Sequence, residues 1–303
     1  MPANATLLQA ARDFGPPVVV AAAFFFFAWF RTRRKMLFSD AHGSRWDVAG
    51  LALACLAGSG SIFGWQDLAA VPAITGLFWL PFGLAAILVY LTVAAVFRYH
   101  EATDSIAICL VSLATLLMVM RGVDHFDEPG ESALARAGAI LLVAAAVFVV
   151  ATAQSFLTWR LEAFDFFLIN IFQGAAAVVF CSVSLGTETG ARTLLVTALV
   201  IAVGLFCTLA RRRLQLTLAF GLLYGFITAT VTISSFLAPG GLAPTRWLPV
   251  AMLMASLTAP AVLAAFPAIA EDRRRARLIL PTVAFALAAG AIAVAGLPGA
   301  GEP

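Results

Sequence analysis

Long apolar runs, separated by short polar stretches, repeat along almost the whole chain. A membrane-spanning helix needs about 20 mostly apolar residues, with a range of ~17–25. Ten stretches meet this requirement, and they predict an all-α, polytopic integral membrane helix bundle. The predicted spans are 14–30, 47–64, 68–97, 104–120, 135–158, 161–185, 193–210, 214–238, 247–270 and 278–297.

The composition agrees with a chain that faces lipid. Hydrophobic residues make up 62% of it and charged residues only 12%, whereas a soluble domain carries about 25% charged residues. The whole chain, 1–303, is therefore predicted to be one transmembrane domain. Five spans on each side of Arg160 also permit two inverted halves, 14–158 and 161–297, as in many secondary transporters.

The positive charges divide unevenly between the two sets of loops. Of the 19 Lys and Arg residues, 14 fall in one set and 5 in the other. Positive charge is retained in the cytoplasm, so we expect both termini outside a bacterial-type cytoplasmic (inner) membrane. Orientation explains these charges, and no nucleic-acid partner is expected. The larger set is Arg31, Arg33, Arg34, Lys35, Arg45, Arg98, Arg160, Arg211, Arg212, Arg213, Arg273, Arg274, Arg275 and Arg277.

Few residues indicate a cofactor or a metal. The four cysteines lie inside apolar runs, and the three histidines lie in loops or near span ends. No phosphate-binding loop motif is present, which excludes a nucleotide-driven pump within this chain. The predicted outer loop 121–136 is acidic and contains His125, so either a divalent-cation site or a solvated turn fits it. We predict no cofactor; a coupling proton or monovalent cation remains open.

The sixth span contains polar residues whose burial in lipid is energetically unfavourable, namely Glu162, Asp165, Asn170 and Gln173. Such groups need a partner or a water-filled cavity, and they mark an interior face. Asp165 could take up a proton or bind a cation, with Gln173 about two turns beyond it. A structural alternative pairs Asp165 with Arg160 at the start of the helix.

The eighth span has a ribbon of small and hydroxyl-bearing residues at helical spacing. Hydroxyls on this ribbon could line a substrate path, or they could bond their own backbone or a neighbouring helix. The ribbon consists of Thr217, Gly221, Tyr224, Thr228, Thr232 and Ser235.

The second span combines a packing motif with weak helix formers. Gly50, Ala54 and Gly58 form a small-xxx-small face suited to close helix packing. The segment 58–61 reads Gly-Ser-Gly-Ser, and Gly64 follows. We expect either a helix break there, which would free carbonyls for an ion or solute, or packing alone. Prolines in the third and ninth spans (Pro72, Pro81, Pro249, Pro260 and Pro267) predict kinks.

The first hundred residues resemble the start of the sodium/solute symporter family. The similar features are the basic stretch 33–35, the segment 58–64, Gly76, and the pair Thr103–Asp104. This resemblance implies the LeuT-type fold, with an outside amino terminus and a broken span.

The leading functional hypothesis is a secondary transporter or permease for a small solute, coupled to protons or cations through Asp165. The alternatives are a non-transporting accessory, assembly or sensory subunit that binds partner helices or a lipophilic ligand, and an intramembrane lipid-modifying enzyme. The expected partners are the lipid bilayer, a small solute, and a membrane-protein partner or a second copy. The predicted pathway residues are Gly58, Ser59, Ser61, Asp165, Gln173, Tyr224, Thr228 and Thr232.

Overall fold

The computed structural model is a bundle of ten long helices. It describes residues 3–35, 45–64, 76–97, 101–121, 133–210, 214, 216–237, 247–270 and 272–295, and no strand occurs among them. All ten helices contain or adjoin a segment long and apolar enough to cross a membrane, which confirms the predicted all-α polytopic fold. The helices are α1 (Ala3–Lys35), α2 (Trp46–Phe63), α3 (Leu80–Phe97), α4 (Glu101–Arg121), α5 (Ala133–Arg160), α6 (Ala163–Val179), α7 (Glu188–Ala210), α8 (Leu218–Phe236), α9 (Trp247–Ala264) and α10 (Arg273–Ala295).

Three short elements adjoin these helices. A 3₁₀ turn, Gly76–Trp79, leads into α3, and a π-helical turn, Phe180–Ser184, extends α6. One helical turn, Pro267–Ala270, connects α9 to α10. The start of the predicted third span, residues 68–75 with Pro72, lies outside the described residues.

Helix α8 is the centre of the bundle. Its spanning segment is 94% buried, against 22% for α1 and 28% for α10. It packs against α2, α4, α5, α6, α7 and α9. A helix that is apolar all round belongs in an interior, and small residues let its neighbours approach.

Two glycines of α8 bring its backbone against that of α5. A Cβ at Gly221 would lie 2.4 Å from the carbonyl oxygen of Gln154, and one at Gly225 would lie 2.8 Å from the Cα of Ala151. Both distances are far inside van der Waals contact, so only glycine allows this approach. The pair fixes the position of the α5 segment that carries Gln154.

Helix α2 does not break at the Gly-Ser-Gly-Ser segment, so the predicted interruption at 58–61 is wrong. The helix continues to Phe63 and ends at Gly64, whose φ is 77°. Ser59 and Ser61 donate hydrogen bonds to carbonyls one turn back, at 2.8 and 3.3 Å, which keeps their hydroxyls within the helix. The packing alternative is confirmed, because a Cβ at Gly58 would lie 2.7 Å from the side chain of Val196 on α7.

The prolines occupy different places in their helices. Pro81 and Pro249 lie in the first turns of α3 and α9, where a missing N–H costs nothing. Pro267 opens the one-turn helix. Pro260 lies inside α9 and removes one backbone hydrogen bond, a loss that shapes the site described below.

All even-numbered helices begin at one face of the bundle. Side chains at their starts join α2 to α8, α2 to α4, and α6 to α10, and the rings of Phe166 and Phe220 join α6 to α8. This arrangement agrees with the alternating path predicted from the spans. We call this end of the bundle the charged face. Which membrane side it occupies, and whether the two halves are inverted repeats, stay predictions.

Candidate functional site

The charged face holds a carboxylate that is buried completely. Asp47 is 0% exposed and accepts from the backbone N–H of Thr217 at 2.6 Å and from the Thr217 hydroxyl at 3.0 Å. The backbone N–H of Val48 donates to its other oxygen. Thr217 also caps α8, because its hydroxyl accepts from the N–H of Phe220. Asp47 therefore ties the start of α2 to the start of α8.

A second group on this face joins three helices. Arg45 Nε donates to Asp104 at 2.5 Å, and Arg45 Nη1 donates to the Ala94 carbonyl at 2.8 Å. The Tyr90 hydroxyl donates to the other oxygen of Asp104 at 3.0 Å. The group links the start of α2, the end of α3 and the start of α4.

The third group contains the predicted coupling residue, Asp165. Arg277 Nε donates to Asp165 at 2.8 Å, and Arg277 also lies 3.5 Å from Glu162. The alternative prediction, in which Asp165 pairs with Arg160, is wrong, because the carboxylate pairs with Arg277 of α10 instead. The Arg160 guanidinium lies 5.9 Å from the ring centre of Trp159. Asp165 is thus part of an ion pair between α6 and α10.

Three side-chain amides and a tyrosine lie deeper in the bundle, on neighbouring helices. Gln173 lies ten residues beyond the start of the Ala163–Ser182 span, or about 15 Å at 1.5 Å per residue. That is the middle of a hydrocarbon core about 30 Å thick. We call this group the amide cluster; it consists of Gln154 (α5), Asn170 and Gln173 (α6), Tyr224 (α8) and the backbone carbonyls of Ser256 and Leu257 (α9).

Pro260 supplies one acceptor of the cluster. In an α-helix the carbonyl of residue 256 accepts from the N–H of residue 260, and proline has none. Gln173 Nε2 donates to the Ser256 carbonyl in its place. Gln154 Nε2 donates to the next carbonyl, of Leu257, at 2.8 Å and to Gln173 Oε1 at 3.4 Å. Side chains of α5 and α6 thereby complete the backbone of α9.

Asn170 and Tyr224 extend the cluster toward α8. Asn170 Nδ2 donates to the Phe166 carbonyl at 2.9 Å, and the Tyr224 hydroxyl donates to the Asn170 carbonyl at 3.2 Å. Asn170 and Gln173 are three residues apart, so they share one face of α6. Tyr224, Asn170 and both glutamines are fully buried.

Two oxygens of the cluster have no hydrogen-bond donor. Within the described part of the chain, nothing donates to Gln154 Oε1 or to Asn170 Oδ1. A buried polar atom without a partner costs about 1–3 kcal/mol, and lipid offers no water to relieve it. Unpaired groups of this kind in the centre of a bundle mark a candidate binding site.

Two threonines of the hydroxyl ribbon bond their own helix. Thr228 donates to the Tyr224 carbonyl at 2.9 Å, and Thr232 donates to the Thr228 carbonyl at 2.8 Å. Of the predicted pathway residues, Gln173 and Tyr224 are therefore the ones that belong to the amide cluster. Asp165 lies at the charged face, Gly58 packs on α7, and Ser59 and Ser61 bond within α2.

Several residues of these groups were not among the predicted site residues. Gln154 is a lone amide in an apolar run, and the sequence marks Asn170 only as a polar residue of the sixth span. Asp47 and Asp104 stand at the starts of predicted spans, where water at the membrane surface could solvate a carboxylate without any protein partner. The sequence did contain one usable signal for Ser256, namely its position four residues before a helix-interior proline.

Metal-binding residues do not gather in the part of the chain that the structure describes. No group of three or more His, Cys, Asp or Glu side chains occurs there. Most of the acidic loop 121–136, including His125, lies outside the described residues, so its cation site stays a prediction.

Comparison with known proteins places the chain in no established group. No protein-family model, no curated protein and no solved structure matches it. The resemblance to sodium/solute symporters accordingly stays a prediction.

Proposed function

We propose that this multi-span membrane protein is a secondary transporter for a small solute and that the amide cluster is its central recognition site. The observation that carries the proposal is the pair of unpaired, buried oxygens, Gln154 Oε1 and Asn170 Oδ1. Four helices meet there near the middle of the bundle, which is where secondary transporters bind their substrates.

Alternating access gives the charged face a role as a closed gate. The links Asp165–Arg277 and Arg45–Asp104 hold helix ends together. Opening this face would require these ion pairs to separate, while the opposite end closes. The positive-inside charge distribution supports a cytoplasmic location for this face, with both termini outside a bacterial-type inner membrane.

Proton or cation coupling through Asp165 is a separate part of the proposal. Its carboxylate is held by Arg277, so coupling would require a proton or cation to displace that guanidinium. Replacing Asp165→Asn in reconstituted vesicles tests this role. Loss of ion-dependent stimulation is expected, and full stimulation in the variant would rule the role out.

Transport can be tested without knowing the natural solute. Purified protein in lipid vesicles is mixed with hyperosmotic erythritol or urea, and reswelling is followed by light scattering. We expect faster reswelling than in protein-free vesicles, and a rate about tenfold lower in Gln154→Met, which removes both the amide oxygen and its donor. The matched control is Thr193→Val, because the Thr193 hydroxyl is buried on α7 and bonds within its own helix.

The accessory-subunit hypothesis predicts a different outcome. The protein would then copurify with another membrane protein from native membranes, and none of the solutes would enter the vesicles faster than through lipid. That pair of results would replace the transporter proposal.

A further inference from the structure

We infer that the amide cluster selects a small uncharged solute and holds it by the solute's own N–H or O–H groups. This inference deepens the proposed function, because it names the substrate class of the same site. It stands on the directions of the hydrogen bonds in the cluster and on the charges of the four spans that build it.

Each amide nitrogen of the cluster already makes at least one hydrogen bond. The nitrogens of Gln154, Gln173 and Asn170 each donate to a backbone carbonyl. Rotating any of these amides by half a turn would set its oxygen against that carbonyl oxygen, so the hydrogen-bond pattern fixes their orientation. Each amide nitrogen has two N–H donors, so Gln173 and Asn170 keep one further N–H each, but the amide atoms of the cluster that make no hydrogen bond at all within the described residues are the oxygens of Gln154 and Asn170. A complementary ligand must therefore bring donors.

The surrounding spans carry no charge that could balance an ionic ligand. In the spans Ala137–Arg160, Ala163–Ser182, Leu218–Phe236 and Trp247–Ala264, the only charged residues are Arg160 and Asp165. Both lie within two residues of a span end, at the charged face. A cation or an anion at mid-membrane depth without a counter-charge costs several kcal/mol. An uncharged donor, such as a polyol or an amide, avoids this cost.

The sequence offers a direct probe of one of the two oxygens. Asparagine occurs only at positions 4 and 170, so labelling asparagine with ¹³C at the side-chain carbonyl gives two signals, and Asn4→Ala leaves one. This signal is recorded by solid-state NMR on protein in lipid bilayers. Erythritol and urea are the neutral probes; sodium acetate and ammonium chloride are the ionic ones.

We expect erythritol or urea to shift the Asn170 carbonyl signal saturably, because a new donor polarises the carbonyl. Gln154→Met should raise the half-saturating concentration about tenfold, the effect of one lost hydrogen bond. Thr193→Val should leave it unchanged. The unmutated Asn170 site reports binding by itself, so the test holds even if Gln154→Met fails to fold.

Two results would overturn the inference. Saturable shifts caused by acetate, sodium or ammonium but not by the neutral probes would show that the site prefers ions. No shift with any probe would show that the cluster binds no such solute. Neutral binding without faster vesicle reswelling would refute the transporter and retain the site, whereas reswelling without a shift would retain transport and refute the site.

Discussion

The charged face and the amide cluster satisfy their polar groups to different degrees. At the charged face, both oxygens of Asp47 accept hydrogen bonds, and Asp165 pairs with Arg277. In the cluster, two of the three amide oxygens have no donor among the described residues. Charge in this protein therefore joins helix ends, whereas the groups available for a ligand are uncharged and central.

The largest expected effect comes from moving the two helices that frame the cluster. Gly221→Ala places a methyl group 2.4 Å from the Gln154 carbonyl oxygen. Because this neighbour is backbone, α5 and α8 must separate, and we expect a loss of about 3 kcal/mol of unfolding free energy. Thermal unfolding in detergent, followed by circular dichroism, measures it.

The control for that substitution is Gly138→Ala on α5, where a Cβ meets nothing within 4 Å. This control should be neutral or slightly stabilising, since alanine favours helix. Equal stability of the two variants would mean that close contact between α5 and α8 is not needed.

A smaller effect is expected at the charged face. Asp47→Asn sets an NH₂ group against donors that now meet a carboxylate oxygen, so one buried hydrogen bond becomes a clash of donors. We expect a loss of about 2 kcal/mol, with solute permeation at 25 °C retained. Glu188→Gln, at a side chain that is 77% exposed, should change little.

Reduced stability with retained permeation in Asp47→Asn would separate the function of the charged face from that of the amide cluster. Solute permeation lost in Asp47→Asn while the protein remains folded would show that the contact between α2 and α8 is needed for solute passage as well as for stability.

Restoring a backbone N–H at position 260 tests whether the Gln173 amide replaces the missing helical hydrogen bond of α9. Pro260→Ala provides an N–H for the Ser256 carbonyl, which now accepts from Gln173. We expect the free energy of unfolding to change by less than about 1 kcal/mol, because the hydrogen bond gained within α9 offsets the one that Gln173 loses, while solute binding weakens because Gln173 loses its anchor. Half-saturation in the carbonyl NMR titration measures the binding, and tighter binding would contradict this account.

The smallest effect is expected on the hydroxyl ribbon. Thr228→Val removes a hydroxyl that bonds only its own helix in the described contacts, and valine keeps the shape. The change in stability should stay below about 0.5 kcal/mol, as judged by the same unfolding measurement. A permeation defect in this folded variant would instead assign the hydroxyl to the solute path.

The spans could be predicted because length and apolarity suffice for them, but partners across the bundle could not. Asp47 is separated from Thr217 by most of the chain, and only folding shows that their helices begin side by side. Glycine and serine at 58–61 favour a break by local preference. Packing on Val196 and hydrogen bonds along α2 override that preference.

The hydrogen-bond partner of Gln173 could not be predicted from the sequence. Its polarity marked an interior face, and Pro260 marked a free carbonyl at Ser256. Nothing local indicated that the Gln173 amide would donate to the Ser256 carbonyl, because this hydrogen bond depends on how α6 and α9 cross. Arg277 is a similar case, since Arg160 is the nearer cation in the sequence.

The proline in α9 also has a consequence for biogenesis. If the spans enter the bilayer in chain order, α5 and α6 are already there when α9 arrives with one carbonyl lacking its helical donor. The side-chain amides of Gln173 and Gln154 can then donate to the adjacent carbonyls of Ser256 and Leu257, which fixes the depth and rotation of α9. The unpaired carbonyl that Pro260 leaves in α9 would thus help to position this late helix among those already inserted.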